Sequence, residues 1–242
     1  MGKKLSLFVA LFAFFAACAT MQRAEMVAVP SNTEATHRID ILPKGHGSAV
    51  VLTEDGYLLT CHHVAFTPEG KPREMVMNIA VDGATPKAFP IRIIAWDAAH
   101  DLAVVKVERR FERTVILGDI HDVQVLDRVY NVGFPYDIGE VGSVGYVKAL
   151  HVVNESYGLD DALLLVISDG PGTSGSGIFL AKNGRLIGIM HALIAMGPHD
   201  GRQVVIRIVI PIDVIRKFLD RAKIPYRAAL SFLLYCRHEN QF

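Results

Sequence analysis

The chain has 242 residues, with 25 Lys and Arg balanced by 25 Asp and Glu, 51% hydrophobic residues and 21% charged ones. That is the composition of a folding chain rather than a disordered one. The neutral balance lacks the basic surfeit that nucleic-acid binding uses, and the sequence holds neither a Walker loop nor a GxGxxG run, so neither nucleic acid nor nucleotide is expected as a partner.

The first residues, MGKK, are basic, and LSLFVALFAFFAA follows as an apolar run too short to span a bilayer. A basic start, a short apolar core and small residues before a cut site predict a secretory signal peptide over 1–17. Its end, Phe15-Ala16-Ala17-Cys18, resembles a bacterial lipobox, which implies cleavage before Cys18, lipidation of Cys18 and attachment to a membrane. Residues 18–40 carry polar residues without periodicity and read as a tether. Cys61 sits at an apolar strand end and reads as a small buried hydrophobe, and no bridge to Cys236 is expected.

From residue 45 onward the pattern is short β-branched runs separated by turn residues. GSAVVL (47–52) and YLLT (57–60) flank Glu54-Asp55-Gly56, a hairpin signal, and Asn183-Gly184 marks another. Further strands are predicted at 75–82, 89–96, 102–107, 114–117, 125–133, 141–153, 162–168, 177–181, 185–194 and 203–210. One helix is predicted after Pro211, where Ile212, Ile215, Phe218 and Leu219 share a face. Many short strands without alternating helices predict an all-β fold of barrels or sandwiches.

The chemistry concentrates in GPGTSGSGIF, residues 170–179. A serine hydroxyl needs a base to become a nucleophile, and attack on a carbonyl needs donors aimed at the developing oxyanion. Gly172-Thr173-Ser174-Gly175 offers both a hydroxyl and open backbone amides. Ser174 is the better nucleophile than Ser176, because it has glycine two places before it and directly after it. A base and an orienting acid lie upstream, each at a strand boundary. Cys61-His62-His63-Val64 ends one strand, and Asp101 directly precedes the apolar Leu102-Ala103-Val104-Val105. Asp97 reads instead as a turn cap.

These pieces resemble the trypsin-like serine proteases, nearest to the bacterial HtrA (Deg) group. GHGSAVVLTEDGYLLTCHHV is similar to that family's first strand pair and catalytic histidine, HDLAVVKV to its aspartate segment, PGTSGSGIF to its nucleophile loop, and VVIRIVIPIDVIRKFL to its last strand and closing helix. The resemblance implies a chymotrypsin-like fold of two six-stranded antiparallel β-barrels with a C-terminal helix, spanning 41–226, with the barrel boundary near 118–125 and a tail over 227–242. It selects His63 over His62 and implies that Ser174 attacks a peptide carbonyl, His63 acts as general base and then acid, and Asp101 orients the imidazole. The N–H groups of Gly172 and Ser174 would bind the oxyanion. Substrate would lie against Ser168 and the strand Met190, His191, Ala192 and Leu193, with Asp169 read as a turn residue before Gly170. Protein or peptide substrates, a place in the cell envelope facing periplasm or exterior, a role in quality control and homo-oligomers are further implications. No cofactor and no metal is expected, and the length leaves no room for the PDZ domains usual in the group.

Two other readings use the same residues. His62, His63, His100 and Asp101 could ligate a metal, but adjacent histidines on an extended chain point to opposite sides. A trypsin-fold binding module with an impaired site would keep the fold without the chemistry.

Overall fold

The computed structural model describes residues 31–80, 85–155, 159–199 and 202–226, with side chains described outside 195–204. The signal peptide, Cys18, most of the tether and the 227–242 tail lie outside the described residues.

Two closed antiparallel barrels form, each of six strands. The first comprises β1 (Thr36–Ile41), β2 (His46–Val51), β3 (Tyr57–Cys61), β4 (Met75–Ile79), β5 (Lys87–Asp97) and β6 (Leu102–Val107), ordered β1-β2-β3-β6-β5-β4. The second comprises β7 (Arg128–Gly133), β8 (Val141–Asn154), β9 (Leu159–Ile167), β10 (Gly177–Leu180), β11 (Leu186–His199) and β12 (Arg202–Pro211), ordered β10-β11-β12-β9-β8-β7. A single turn of helix, α1 (His62–Ala65), follows β3, and α2 (Ile212–Arg221) closes the fold. Ile212, Ile215, Phe218 and Leu219 of α2 are buried on the face the sequence assigns to them. Pro211 stands at its N-cap, where its missing N–H costs nothing.

The sequence reading departs from this arrangement in two places. Residues 36–40, read as tether, form most of β1, which pairs with both β2 and β4 and completes the first barrel. Buried Asn32, also in that stretch, donates to Tyr130 Oη at 2.7 Å and to the Gly184 carbonyl at 2.8 Å, both on the second barrel. Nothing in polar, aperiodic sequence signals an edge strand whose partners are remote. The stretch 114–117 is not a strand; Leu117 makes only an isolated bridge to Leu186.

Strand alternation fills both barrels. Leu58, Met75, Met77, Leu102 and Val104 are buried in the first, and Val129, Leu163, Leu165, Ile178 and Phe179 in the second. Tyr130 stacks on Phe179 with ring centroids 5.3 Å apart. Lys106, buried in β6, keeps its charge satisfied by Asp55 at 2.8 Å and lies over the Tyr57 ring.

His37 on β1 packs its ring on Phe111, and its Nε2 is shielded without a partner. Burial first, then the nearby Arg109 charge, lowers its pKa to about 4, against the ordinary 6.5. The unfolded chain therefore takes up a proton near pH 6.5 that the native chain refuses until about pH 4, so this residue's contribution is intact above 6.5 and falls away between the two. The effect reaches at most about 3 kcal/mol. Urea denaturation at pH 7 and pH 4.5 should show His37→Phe losing about 2 kcal/mol less stability than wild type on acidification.

Candidate functional site

The serine loop, residues 170–177, is built against the first barrel. Gly175 has φ +85°, and a Cβ there would come within 2.2 Å of the Ser48 carbonyl and 2.4 Å of Thr60 Oγ1. Only glycine lets β10's entry lie this close to β2 and β3. The contact is then tied by hydrogen bonds: Ser48 N–H donates to the Ser174 carbonyl at 2.9 Å, Ser48 Oγ to the Gly172 carbonyl at 2.9 Å, and Thr60 Oγ1 to the Ser48 carbonyl at 2.7 Å.

Every carbonyl from Gly170 to Ser174 is engaged. Gly170 accepts from Thr173 N–H and Thr173 Oγ1, Pro171 from Tyr136 N–H at 2.8 Å, and Thr173 from Ser176 N–H at 2.9 Å. In a trans peptide the N–H points opposite to the C=O. The amides following Pro171 and Thr173 are those of Gly172 and Ser174, and neither has an acceptor among the described residues. The loop thus presents two unpaired donors, a ready-made anion pocket. Tyr136 supports it from outside: its ring occupies the space that a Cβ on Gly170 would fill. The Pro135–Asp137 turn holding it places Tyr136 and Asp137 at positive φ and pairs Asp137 with Arg38.

Asp101 and His63 come together at the edge of the first barrel. Asp101, at φ +53° in the turn before β6, accepts from His63 N–H through Oδ1 at 2.8 Å and meets His63 Nδ1 through Oδ2 at 2.7 Å. With Nδ1–H donating, His63 Nε2 is the ring's free acceptor. The side chain of Ser174 is part-exposed, and no hydrogen bond from its Oγ occurs among the described residues.

A second imidazole reaches the same carboxylate. His191 Nδ1 lies 2.6 Å from Asp101 Oδ2, and the His63 and His191 rings meet edge to face with centroids 6.1 Å apart. Burial alone would raise the Asp101 carboxyl, but hydrogen bonds from His191 and His63 outweigh it and hold the group well below the usual carboxylate range. Behind them Cys61, free and fully buried, donates its S–H to the Met190 carbonyl at 3.2 Å.

Of the residues predicted to hold substrate, His191 therefore faces Asp101. Met190 is buried, and its carbonyl also receives Gly175 N–H at 2.9 Å. Ser168 and Leu193 are exposed and Ala192 is partly so. Asp169 is buried beside Arg207 of β12, its ion partner, and accepts from Thr173 Oγ1 at 3.2 Å. Burial pushes its carboxyl up, and Arg207 opposes that. Its charge is answered from within the chain.

The neighbours set aside in the sequence are occupied elsewhere. His62 stacks on Phe66 at 4.4 Å. Asp97 caps its turn through Ala99 N–H and binds both His100 and Arg221. Ser176 is buried, and its Oγ accepts from Asn131 Nδ2 at 2.6 Å, so its partner is a side chain and not the backbone. Sequence reading missed Ser48 and Tyr136, which carry no motif of their own and act only through contacts remote in sequence.

A family model described as a trypsin-like peptidase domain matches residues 47–189. The chain belongs to the trypsin-like peptidase family. It is similar to a probable periplasmic serine endoprotease, DegP-like, of Rhizobium meliloti, 31% identical over 74% of this chain and 33% of that protein. It is also similar to the serine endoprotease DegS of Haemophilus influenzae, 28% identical over 72% of this chain and 50% of that one. The chain thus matches between a third and a half of these relatives' length. Among solved structures, Deg5 superposes with a TM-score of 0.65 at 21% identity, covering 81% of this chain and 92% of that one. The HtrA-type protease AlgW with a tripeptide superposes with a TM-score of 0.68 at 23% identity, covering 81% and 62%. The two-barrel fold read from the sequence is the fold of these proteins.

The loop contacts separate two serine-loop substitutions by stability. Gly175→Ala drives a methyl into a backbone carbonyl and should cost more than about 3 kcal/mol. Ser176→Ala leaves Asn131 Nδ2 its second acceptor, the Gly177 carbonyl at 3.1 Å, and should cost about 1 kcal/mol. Chemical denaturation of the two purified variants checks both values.

Proposed function

We propose that this protein is a serine endopeptidase of the cell envelope, in which Ser174, His63 and Asp101 cleave peptide bonds. The observation that carries the reading is the His63–Asp101 pair beside a serine loop with its two amides unpaired. Ser174 Oγ attacks the substrate carbonyl while His63 Nε2 takes its proton. The tetrahedral oxyanion forms between the N–H groups of Gly172 and Ser174, and His63 returns the proton to the leaving amine. Asp101 keeps the imidazole in the tautomer that leaves Nε2 free and stabilises its charged form. Water then repeats the sequence on the acyl-enzyme.

A fluorophosphonate probe tests the serine directly. Mass spectrometry should find it on Ser174 in the wild type, absent from Ser174→Ala, and slowed by at least about 1,000-fold in His63→Ala. Ser176→Ala should remain labelled. Peptide-library cleavage should follow the same pattern and persist in chelator. Absence of both labelling and cleavage in the wild type would overturn the peptidase reading in favour of the alternative, a trypsin-fold binding module.

Export is the second part of the proposal. The basic start, apolar run and Cys18 support a lipoprotein held on a membrane and facing the periplasm or exterior, acting on protein or peptide substrates in quality control and able to self-associate. Two of the similar proteins carry the names periplasmic serine endoprotease and DegS. Metabolic labelling with an alkyne fatty acid should tag the wild type and leave Cys18→Ser untagged and released from the membrane fraction.

A further inference from the structure

The cluster around Asp101 contains more than a protease site uses. Asp101 already fixes His63 through both carboxylate oxygens. His191 adds a second imidazole to Oδ2, which divides that oxygen between two donors. Cys61 adds a buried thiol, donating to the Met190 carbonyl, that has no part in peptide cleavage. One donor atom from each of Cys61, His63, Asp101 and His191 lies within 4.8 Å of all the others.

We propose that these four side chains form a regulatory site for a borderline-soft divalent metal, Zn²⁺ by preference, that switches the peptidase off. The ligand set is one thiolate, two imidazoles and one carboxylate, which suits tetrahedral Zn²⁺. Metal–ligand bonds of about 2.0–2.3 Å place tetrahedral ligand atoms about 3.3–3.6 Å apart. The two Nδ1–Oδ2 contacts, at 2.7 and 2.6 Å, need to open by less than about 1 Å, a change within reach of side-chain rotation. His63 and His191 are about half and one third exposed, so the ion has an entry from the cleft, while Cys61 closes the site from the core.

The charge closes as well. Zn²⁺ displaces the Cys61 thiol proton to solvent, and the thiolate and the Asp101 carboxylate together neutralise the ion. Each Nδ1 lone pair turns to the metal, and each imidazole proton moves to Nε2. This last step is the switch, and it rests on the peptidase reading. With Nε2 protonated, His63 has no lone pair with which to accept the Ser174 proton, and Asp101 is no longer free to stabilise an imidazolium. The four residues are not the set the sequence suggested for a metal: His62 and His100 are engaged with Phe66 and Asp97.

Binding is tested apart from activity, in full-length Ser174→Ala. Calorimetric titration with Zn²⁺ should give one ion per chain and release of about one proton. Adding Cys61→Ala or His191→Thr should weaken that binding by at least about tenfold. Co²⁺ in place of Zn²⁺ should show a thiolate charge-transfer band that Cys61→Ala abolishes. In the active wild type, Zn²⁺ should inhibit cleavage, chelator should restore it, and Cys61→Ala should need at least about tenfold more Zn²⁺ for the same inhibition. The inference is overturned if Ser174→Ala binds no Zn²⁺, if neither substitution weakens binding, or if Cys61→Ala is inhibited like the wild type. If the wild type cleaves nothing, the peptidase reading fails, and the calorimetry still decides whether the metal site exists.

Discussion

The close approach of Gly175 to the Ser48 carbonyl and Thr60 decides where the serine loop can stand. It brings a loop of the second barrel into the wall of the first, where two hydrogen bonds from Ser48 fix it while Thr60 Oγ1 holds the Ser48 carbonyl. Because β3 carries Thr60 and runs directly into Cys61 and His63, the strand that positions the serine loop also leads to His63. The site itself is therefore one of the places where the two barrels are registered, alongside the Asn32 and Arg38 contacts.

The second organising group is Asp101. It sits in a turn that forces a non-glycine residue to positive φ, a conformation that Asp tolerates better than most. Its carbonyl accepts His62 N–H at 2.9 Å, while its carboxylate takes His63 N–H and two imidazole nitrogens. These donors outweigh burial and hold the carboxylate well below the usual carboxylate range, favouring its charged form. The price of that stability is divided allegiance, because a proton or ion arriving at His191 changes what Asp101 can offer His63.

Motifs whose meaning is local were legible in the sequence. GPGTSGSG could only be a tight loop with exposed amides, YLLTCHHV a strand running into a histidine, and IDVIRKFL an amphipathic helix. The many short strands point to an all-β fold of barrels or sandwiches, the resemblance narrows it to two barrels, and the flanking strand favours Asp101 over Asp97. What the sequence could not express were contacts set by closure of the barrels. Thr36–Ile41 looks like linker because its alternation is weak and its partners, β2 and β4, lie on either side only after closure. His191 sits in an apolar run that reads as a cleft wall, and nothing in MHAL says that one side chain turns toward an aspartate ninety positions earlier. Asp169 reads as a turn residue because Arg207, its ion partner, belongs to the third strand downstream in the same barrel.

Asn32 gives the molecule a mechanical character. The chain enters by anchoring its amide nitrogen to Tyr130 and Gly184 on the second barrel, then crosses at once into β1 of the first. Tension applied from the N-terminal side is borne first by those two bonds and only afterwards by the β1 ladder. The segment works as a strap with its buckle on one barrel and its webbing woven into the other, so a load on it must undo the buckle before it can peel the strand away.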